Sequence, residues 1–281
     1  MMWSYDAKNR FLLLNDISSA PALNSNEFSF LENHLYNKDF SLLENAKLWE
    51  IVEKTDKKST AEKVYTALKE VRDLELLKAN KIGLLSPNDE RYPKRLKEKL
   101  SFFPRFFYFV GDDSLINMPS SAVTGSRNAN ETGLKFARDI GQTIASEKKV
   151  IVSGGASGCD FEATAEAIKS GAKAVWFLAN SIENTLKNKT VKSWVDSGKL
   201  CLLSDFNPFG KFDRKQALFR NRFIYANSEF SFVCECNSKI SGTFSGAKFC
   251  LENDLSQLFV FDNNEPAVKE LISLGAISII K

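Results

Sequence analysis

The sequence predicts a doubly wound α/β protein with a mainly parallel sheet, preceded by a small helical domain. From Ser120 onward, short apolar stretches alternate with segments of helical periodicity. Stretches such as AVWFLA and LFVFD are almost entirely hydrophobic, which is typical of parallel strands buried on both faces. From Asp16 to about Asn80, apolar residues instead recur at three- and four-residue spacing among many Lys and Glu residues, which indicates amphipathic helices.

The length of 281 residues favours two domains over one. We place a helical domain at residues 1–80 and the α/β domain at residues 81–281. A proline-interrupted connector opens the second domain and ends in a short strand before Gly111. We expect no further module after Ile280.

The predicted elements of the α/β domain follow one another as strand and helix pairs. In chain order, with each strand before its helix, they are AVTGSR and GLKFARDIGQTIASE, VIVSGGASG and FEATAEAIKSG, AVWFLA and TVKSWVDSG, CLLSDF and FRNRFIYANS, FSFVCEC and SGTFSGAKFCLEN, and LFVFD and AVKELISLG.

Composition excludes several classes of protein. With 43% hydrophobic and 26% charged residues the chain is globular, and no apolar run approaches the roughly 18 residues that cross a membrane. We expect no secretory signal at the N-terminus, and five cysteines, an odd number in apolar contexts, fit buried thiols in a reducing cytoplasm. Since His34 is the single histidine, we expect neither a metal site nor a histidine-based catalytic triad.

Three glycine-containing loops follow predicted strands: TGSR, SGGASG and SGTFSG. At the carboxyl ends of parallel strands, such loops bring backbone N–H groups and helix N-termini to a phosphate. For any single loop, ordinary turn glycines explain the pattern equally well. Neither GxGxxG nor GxxxxGK[ST] occurs, so we expect no nucleotide cofactor. The candidate phosphate-binding residues are Gly125, Ser126, Arg127, Ser153, Gly154, Gly155, Gly158, Ser241, Gly242 and Thr243.

A fourth candidate is the basic and aromatic stretch KFDRKQALFRNRFIYANS. Cations that track a phosphate backbone beside aromatic faces form a typical single-strand nucleic-acid surface. The alternative is a solvated charged loop beside core aromatics. The candidate residues here are Lys215, Arg220, Asn221 and Arg222.

Two carboxylates lie near these loops. We expect Asp160 to cap the helix that follows SGGASG rather than to carry out acid–base chemistry. Glu235, at the end of a strand, either contacts a ribose or base or is buried beside a lysine.

An ordered set of motifs resembles the DprA/Smf family, the bacterial DNA-processing proteins A. Its Gly-Thr/Ser-Arg loop is similar to GSR at 125–127, and its SGxAxGID turn is similar to SGGASGCD at 153–160. Its LSE-x-P-x-G and F-x-RNRIIAxLS signatures are similar to LSDFNPFG at 203–210 and FRNRFIYANS at 219–228. The resemblance covers about residues 85–280. Ser157 replaces a usual arginine, Cys159 an aliphatic residue and Asp205 a glutamate.

The resemblance implies an extended Rossmann-like domain that binds single-stranded DNA in a basic pocket without catalysis. It implies a homodimer that protects incoming DNA and loads the recombinase RecA during natural transformation. The N-terminal helices would correspond to a domain like the sterile alpha motif.

Two other classes of function remain open at the sequence level. One is a nucleotide-binding hydrolase or sensor of the LOG-like group, whose PGGxGTxxE loop carries a glutamate where this chain has Ala247. The other is a partner-binding adaptor in which the site has decayed.

Overall fold

The structure, a computed structural model, describes residues 2–14, 22–41, 58–69, 72–211 and 214–280. The chain divides into two compact units. The first consists of Met1–Tyr92, Pro104–Phe109 and Asp205–Asn207, and the second of Pro93–Phe103, Val110–Ser204 and Pro208–Lys281. The domain boundary after residue 80 stays a prediction. Part of the sequence interpreted as N-terminal helices, residues 42–57, lies outside the described residues, as do Phe212 and Asp213 of the basic stretch.

The described part of the first unit is mainly helical. Its helices are α1 (Tyr5–Leu14), α2 (Ser25–His34), α3 (Lys58–Lys69) and α4 (Arg72–Ala79), with a 3₁₀ turn at Tyr36–Lys38. Strand β1 (Gly83–Leu85) pairs antiparallel with β2 (Phe107–Gly111). Helix α2 begins with a capping box, in which Asn24 accepts from the Glu27 N–H at 2.9 Å and Glu27 accepts from the Asn24 N–H at 2.9 Å.

Helices α2, α3 and α4 confirm the prediction of N-terminal helices over the residues described. Helix α1 was not predicted. It contributes Leu13 to a core of Leu31, Phe28 and Phe40, in which the two phenylalanine rings stack with centroids 4.6 Å apart. Burial of this apolar cluster stabilises the helices, since short helices alone are marginal in water.

The second unit contains a parallel sheet of seven strands in the order β6-β5-β4-β3-β7-β8-β9. The strands are β3 (Ser120–Thr124), β4 (Val150–Ser153), β5 (Ala174–Phe177), β6 (Leu200–Ser204), β7 (Phe230–Val233), β8 (Gln257–Phe261) and β9 (Ile277–Ile279). The helices are α5 (Lys94–Lys99), α6 (Glu131–Ser146), α7 (Cys159–Lys169), α8 (Ile182–Thr185), α9 (Lys189–Asp196), α10 (Arg214–Ala226), α11 (Gly242–Glu252) and α12 (Pro266–Ser273), and Asp113–Leu115 forms a 3₁₀ turn.

The alternation of strands and helices confirms the predicted α/β class with a mainly parallel sheet. Strands β3 to β6 extend the sheet in one direction, and β7 to β9 extend it in the other from β3. The direction in which successive strands are added to the sheet therefore reverses between β3 and β7. This is the topological switch point at which open parallel sheets leave a crevice.

Three details of the second unit differ from the sequence expectation. Helix α8 and strand β9 were not predicted, because four and three residues are too short for a periodic signal. Helix α10 begins at Arg214, five residues before the predicted start at Phe219, so much of the basic stretch is helical. All five cysteines are buried and free, as predicted.

Two kinds of feature are absent from the residues that the structure describes. No group of three or more His, Cys, Asp or Glu side chains that could hold a metal ion occurs among them. Within those same ranges, no helix is both long enough and apolar enough to cross a bilayer.

Candidate functional site

A cavity of about 440 Å³ lies in the second unit at the carboxyl ends of three neighbouring strands, β4, β3 and β7. It is therefore situated at the switch point between β3 and β7, where the fold predicts a ligand. The volume is within the range of small-molecule sites. The lining residues are Thr124, Gly125, Ser126, Arg127, Asn128, Ala156, Asp160, Ala217, Leu218, Arg220, Asn221, Glu235, Cys236, Asn237, Ser238, Ser241, Gly242 and Thr243.

The loop after β3 forms one wall and is fixed by its neighbours on both sides. The Ser126 N–H donates to the Glu235 carbonyl at 3.0 Å, and the Ser126 carbonyl accepts from the Cys159 N–H at 3.2 Å. Thr243 Oγ1 donates to the Gly125 carbonyl at 3.1 Å. These bonds bring the predicted residues Gly125, Ser126 and Thr243 together at the cavity. Arg127 follows as an exposed side chain at the rim.

The SGGASG loop after β4 lies mostly outside the lining of the cavity. Ser153 is fully buried, and its Oγ donates to the Val123 carbonyl at 2.7 Å. Gly155 and Gly158 have positive φ of 67° and 79°, a conformation in which glycine is favoured. Neither these three residues nor Gly154 line the cavity. The loop contributes Ala156 to the lining instead.

Asp160 holds the SGGASG loop closed. The N-cap of α7 is Gly158, and Asp160 lies one position inside the first turn, so the predicted capping role of Asp160 is wrong. Its Oδ2 accepts from the Gly154 N–H at 3.2 Å. A carboxylate in this place satisfies a loop amide and lies at the positive end of the helix dipole.

Two buried residues of opposite charge, Asp160 and Arg220, line the cavity. Asp160 is 6% exposed and Arg220 is 5% exposed, and Arg220 Nη1 donates to the Phe177 carbonyl at 2.7 Å. Burial raises the pKa of the Asp160 carboxyl, and the attraction of the Arg220 guanidinium offsets part of that rise. Both side chains line the cavity, so an entering anion would meet a guanidinium at its floor.

Helix α10 separates the four residues predicted from the basic stretch into two groups. Arg220 and Asn221 lie with Ala217 on the face that lines the cavity. Lys215 and Arg222 lie on a different face, outside the lining residues. Lys215 is exposed, and the Arg222 guanidinium lies over two aromatic rings, 4.9 Å from the centroid of Phe219 and 4.1 Å from that of Phe249.

The N-terminus of α11 closes the cavity on the far side. Ser241 is its N-cap, with Oγ accepting from the Phe244 N–H at 3.1 Å and donating to the Ser238 carbonyl at 2.7 Å. The Gly242 carbonyl accepts from Asn221 Nδ2 at 3.1 Å, which ties α11 to α10. Ser241 and Gly242 therefore line the cavity as predicted candidates, and the positive end of an eleven-residue helix faces it.

The segment after β7 adds residues that the sequence reasoning underestimated. Asn237 and Ser238 line the cavity but were not predicted, although their position after a strand could have indicated them. Asn128, in the loop after β3, is a further lining residue that was not predicted. Glu235 is 1% exposed, and its carboxylate accepts from the Asn130 N–H at 3.2 Å and from Asn237 Nδ2 at 2.6 Å. It thus joins the start of α6 to the cavity wall.

The lining of the cavity combines guanidinium groups with groups that donate hydrogen bonds. Its charged side chains are two arginines, Arg127 and Arg220, and two buried carboxylates, and most of the remaining polar groups are amides and hydroxyls. Burial raises the pKa of the Cys236 thiol, so this lining sulfur is a poor nucleophile. The cavity can offer backbone N–H groups, a helix N-terminus and guanidinium groups to an anionic ligand.

Fold and cavity together define a Rossmann-like, doubly wound α/β protein with a cavity at the switch point. A family model described as DNA recombination-mediator protein A matches residues 83–280. The chain therefore belongs to this family, which confirms the resemblance to DprA/Smf proteins.

Curated relatives share part of the chain. Protein Smf of Synechocystis sp. is 26% identical over 202 residues, which are 70% of this chain and 49% of that protein. DNA processing protein DprA of Streptococcus pneumoniae is 30% identical over 122 residues, which are 43% of this chain and 42% of that protein. The chain thus spans about half the length of the curated relatives it matches.

Solved structures show the same fold. The X-ray structure of S. pneumoniae DprA aligns with a TM-score of 0.65 at 22% identity, covering 98% of this chain and 91% of that one. A structure of DNA processing protein A from Helicobacter pylori aligns with a TM-score of 0.59 at 24% identity, covering 70% and 90%.

Proposed function

We propose that this chain binds single-stranded DNA at the cavity between β3 and β7 and acts as a recombination mediator. The family description names recombination mediation, and the H. pylori structure is described as showing a single-stranded DNA binding mode for that protein. In this chain the observation that carries the proposal is the convergence of the TGSR loop, Arg220 and the α11 N-terminus on one cavity.

The contacts suit a phosphate of a single strand. Arg127 at the rim and Arg220 at the floor supply guanidinium donors, and the start of α11 supplies backbone N–H groups. The cavity of about 440 Å³ suits a nucleotide-sized group of a flexible strand, whereas a rigid duplex would meet only its rim. Single strands therefore gain more contacts here than duplexes.

The broader role follows from the family rather than from the cavity. As parts of the same proposal, the chain protects incoming single strands and delivers them to a RecA-type recombinase in natural transformation. It acts in the cytoplasm as a homodimer. No catalytic step is included, because a mediator needs affinity and transfer of the strand rather than bond cleavage.

The test is fluorescence anisotropy with a labelled oligothymidylate of about 16 nucleotides and a duplex of equal length. We expect the single strand to bind more tightly, with log K falling linearly in log salt between about 50 and 200 mM. The variant Arg127→Ala should weaken binding and make the salt slope shallower by about 0.7, the loss of one phosphate contact. An affinity that is independent of salt would refute the proposal.

Lys199→Ala is the matched control. Lys199 is exposed and immediately precedes β6, so it lies at the amino edge of the sheet, opposite the cavity. Its removal takes away one positive charge, as Arg127→Ala does, and we expect an unchanged salt slope. Equal effects of both variants would indicate a diffuse charge effect rather than a site.

The rival nucleotide hydrolase predicts a different outcome. The first turn of α11 contains no acidic residue, whereas that class needs a glutamate near this helix start. We therefore expect no release of adenine from AMP. Turnover of AMP that is lost in Arg220→Ala would favour the hydrolase instead.

A further inference from the structure

One face of α10 carries a stripe of side chains that adjoins the cavity. Lys215, Leu218, Phe219 and Arg222 are spaced by three and four residues and so lie along one side of the helix. We call these four residues the α10 stripe. It has a cation at each end and apolar side chains between them.

An exposed aromatic ring adjoins the α10 stripe. Phe102 is 62% exposed, and its ring lies edge-on to that of Phe219, with centroids 6.0 Å apart and planes at 66°. The Phe219 ring is also packed edge-on against Phe223 at 5.4 Å and is covered by the Arg222 guanidinium at 4.9 Å. Phe219 is thus held in place, while a large part of Phe102 faces solvent.

The α10 stripe is continuous with the cavity. Leu218 belongs to both, since it lines the cavity and is 42% exposed. Leu218 Cδ2 lies close to Gly242, since a β-carbon added to this glycine would be 3.2 Å from it. The α10 stripe therefore adjoins the N-terminus of α11. A strand with a phosphate at that helix terminus would leave the cavity across Leu218 toward Phe219 and Phe102.

We propose that Phe102 and Phe219 form a stacking subsite for an unpaired nucleobase next to the cavity, a proposal that rests on the function proposed above. Aromatic faces stack on any base, and adjacent cations hold the backbone that connects the bases. A guanidinium that is stacked on a ring keeps its in-plane N–H groups available for phosphate. Arg222 and Lys215 supply these contacts on either side of the rings.

The arrangement favours a base over an apolar protein side chain as the occupant. Both ends of the α10 stripe are positively charged. The stripe adjoins a cavity whose floor and helix terminus suit an anion. A nucleic acid strand satisfies the aromatic and the cationic parts of this surface together. With this subsite, the affinity of the chain for a strand depends on the bases as well as on the phosphates.

The test compares an oligothymidylate of about 16 nucleotides with an abasic strand of the same length, which has the phosphates but no bases. For Phe102→Ala we expect affinity for the oligothymidylate to fall about fivefold or more, with affinity for the abasic strand changed by less than about twofold. Phe102→Trp, which keeps an aromatic face, should retain the affinity of the unaltered protein.

The outcomes separate this proposal from the preceding one. If the unaltered protein binds neither strand, the proposed function fails and the subsite fails with it. If it binds the oligothymidylate but Phe102→Ala changes nothing, or weakens both strands equally, the stacking subsite alone is overturned.

Tyr36→Ala is the aromatic control. Tyr36 is 79% exposed and is neither Phe102 nor a residue of the α10 stripe, so Tyr36→Ala removes an exposed ring but none of the side chains of the proposed subsite. We expect it to bind both strands as the unaltered protein does. A loss of affinity equal to that of Phe102→Ala would show that the effect is not specific to the Phe102 and Phe219 subsite and would overturn it.

Discussion

The guanidinium of Arg220 lies directly against the Cα of Gly154, leaving no space for a β-carbon between them. The same glycine donates its N–H to Asp160 Oδ2 at 3.2 Å, and the charge of the Arg220 guanidinium lowers the pKa of that carboxyl against the effect of its burial. A loop glycine and a helical arginine 66 residues further along the chain are thus positioned by one another. The floor of the cavity depends on this contact.

Gly154→Ala should displace Arg220. The new methyl group would overlap the guanidinium, which is held by its bond to the Phe177 carbonyl. We expect a loss of about 1–3 kcal/mol in the free energy of unfolding, as for other overpacked sites, and weaker binding of single-stranded DNA. Urea unfolding followed by tryptophan fluorescence measures the first, and anisotropy measures the second.

A double-mutant cycle identifies the cause of the Gly154→Ala effect. In a chain that already carries Arg220→Ala, the overlap no longer exists, so Gly154→Ala should cost much less there. Strict additivity of the two changes would show that Gly154 is needed for some other reason. Gly171→Ala is a second control, because its φ of 96° is unfavourable for alanine but nothing lies within 4 Å of the new methyl group.

Asp160→Asn should change how stability depends on pH. Burial raises the pKa of Asp160 in the folded protein above its ordinary value of 3.8, so the folded state binds this proton more tightly than the unfolded state does. Stability from this group is then fully present below that ordinary value and is lost as pH rises through the folded pKa. Asparagine does not titrate.

The measurement is urea unfolding of both proteins from about pH 4 to about pH 8. We expect the stability of the unaltered protein relative to Asp160→Asn to be greatest near the acid end and to decrease as pH rises. A difference that grows with pH would mean that the attraction of Arg220 exceeds the cost of burying the carboxylate.

The alternation of apolar strands with amphipathic helices was sufficient to predict the α/β fold. Strands such as AVWFLA are hydrophobic on both faces only when helices cover both sides of the sheet. The strand order was not predictable from this pattern, since alternation is the same for any order. The convergence of the loops after β3, β4 and β7 therefore appears only in the folded chain.

Only part of the candidate site was predicted. Loop residues are identified by their position after a strand, whereas residues on a helix are separated by the face on which they lie. The TGSR and SGTFSG loops were chosen by their position after strands, and both line the cavity. In the basic stretch, the predicted start of α10 at Phe219 left Lys215 outside the helix. Helical periodicity would have placed Arg220 and Arg222, about 200° apart around the axis, on different faces.

Glu235→Ala should destabilise the wall formed after β7. The carboxylate is 1% exposed and accepts from Asn130 N–H and Asn237 Nδ2, so its removal leaves two donors without this acceptor. We expect a loss of about 1–3 kcal/mol in the free energy of unfolding, measured in urea. Glu235→Gln keeps one acceptor oxygen and should recover part of the loss.

Glu252→Ala is the control for Glu235→Ala. Glu252 ends α11 with its side chain 54% exposed, and its ion pair with Lys248 at 3.8 Å is on the surface. Such pairs contribute little, so the free energy of unfolding should hardly change. Equal losses in the two variants would contradict the assignment of Glu235 as the residue that joins α6 to the cavity wall.

The five buried thiols should react slowly with Ellman's reagent in the folded protein. Burial raises the pKa of Cys159 to about 12, so its reactive thiolate is on the order of 10⁻⁴ of the total at about pH 8. We expect Cys236 to react first, because its side chain lines the cavity. All five cysteines should titrate after denaturation.

Occupation of the cavity should protect Cys236. Saturating oligothymidylate would cover the lining and slow the first thiol to react, whereas Cys236→Ser should abolish that fast reaction altogether. Serine fits the position because the sulfur already lies near polar partners, 3.8 Å from Ser241 Oγ and 3.9 Å from the Ser238 carbonyl. If oligothymidylate binds but the rate at Cys236 is unchanged, the strand does not enter this cavity. If all five thiols react rapidly in the folded protein, their burial is not as the structure describes.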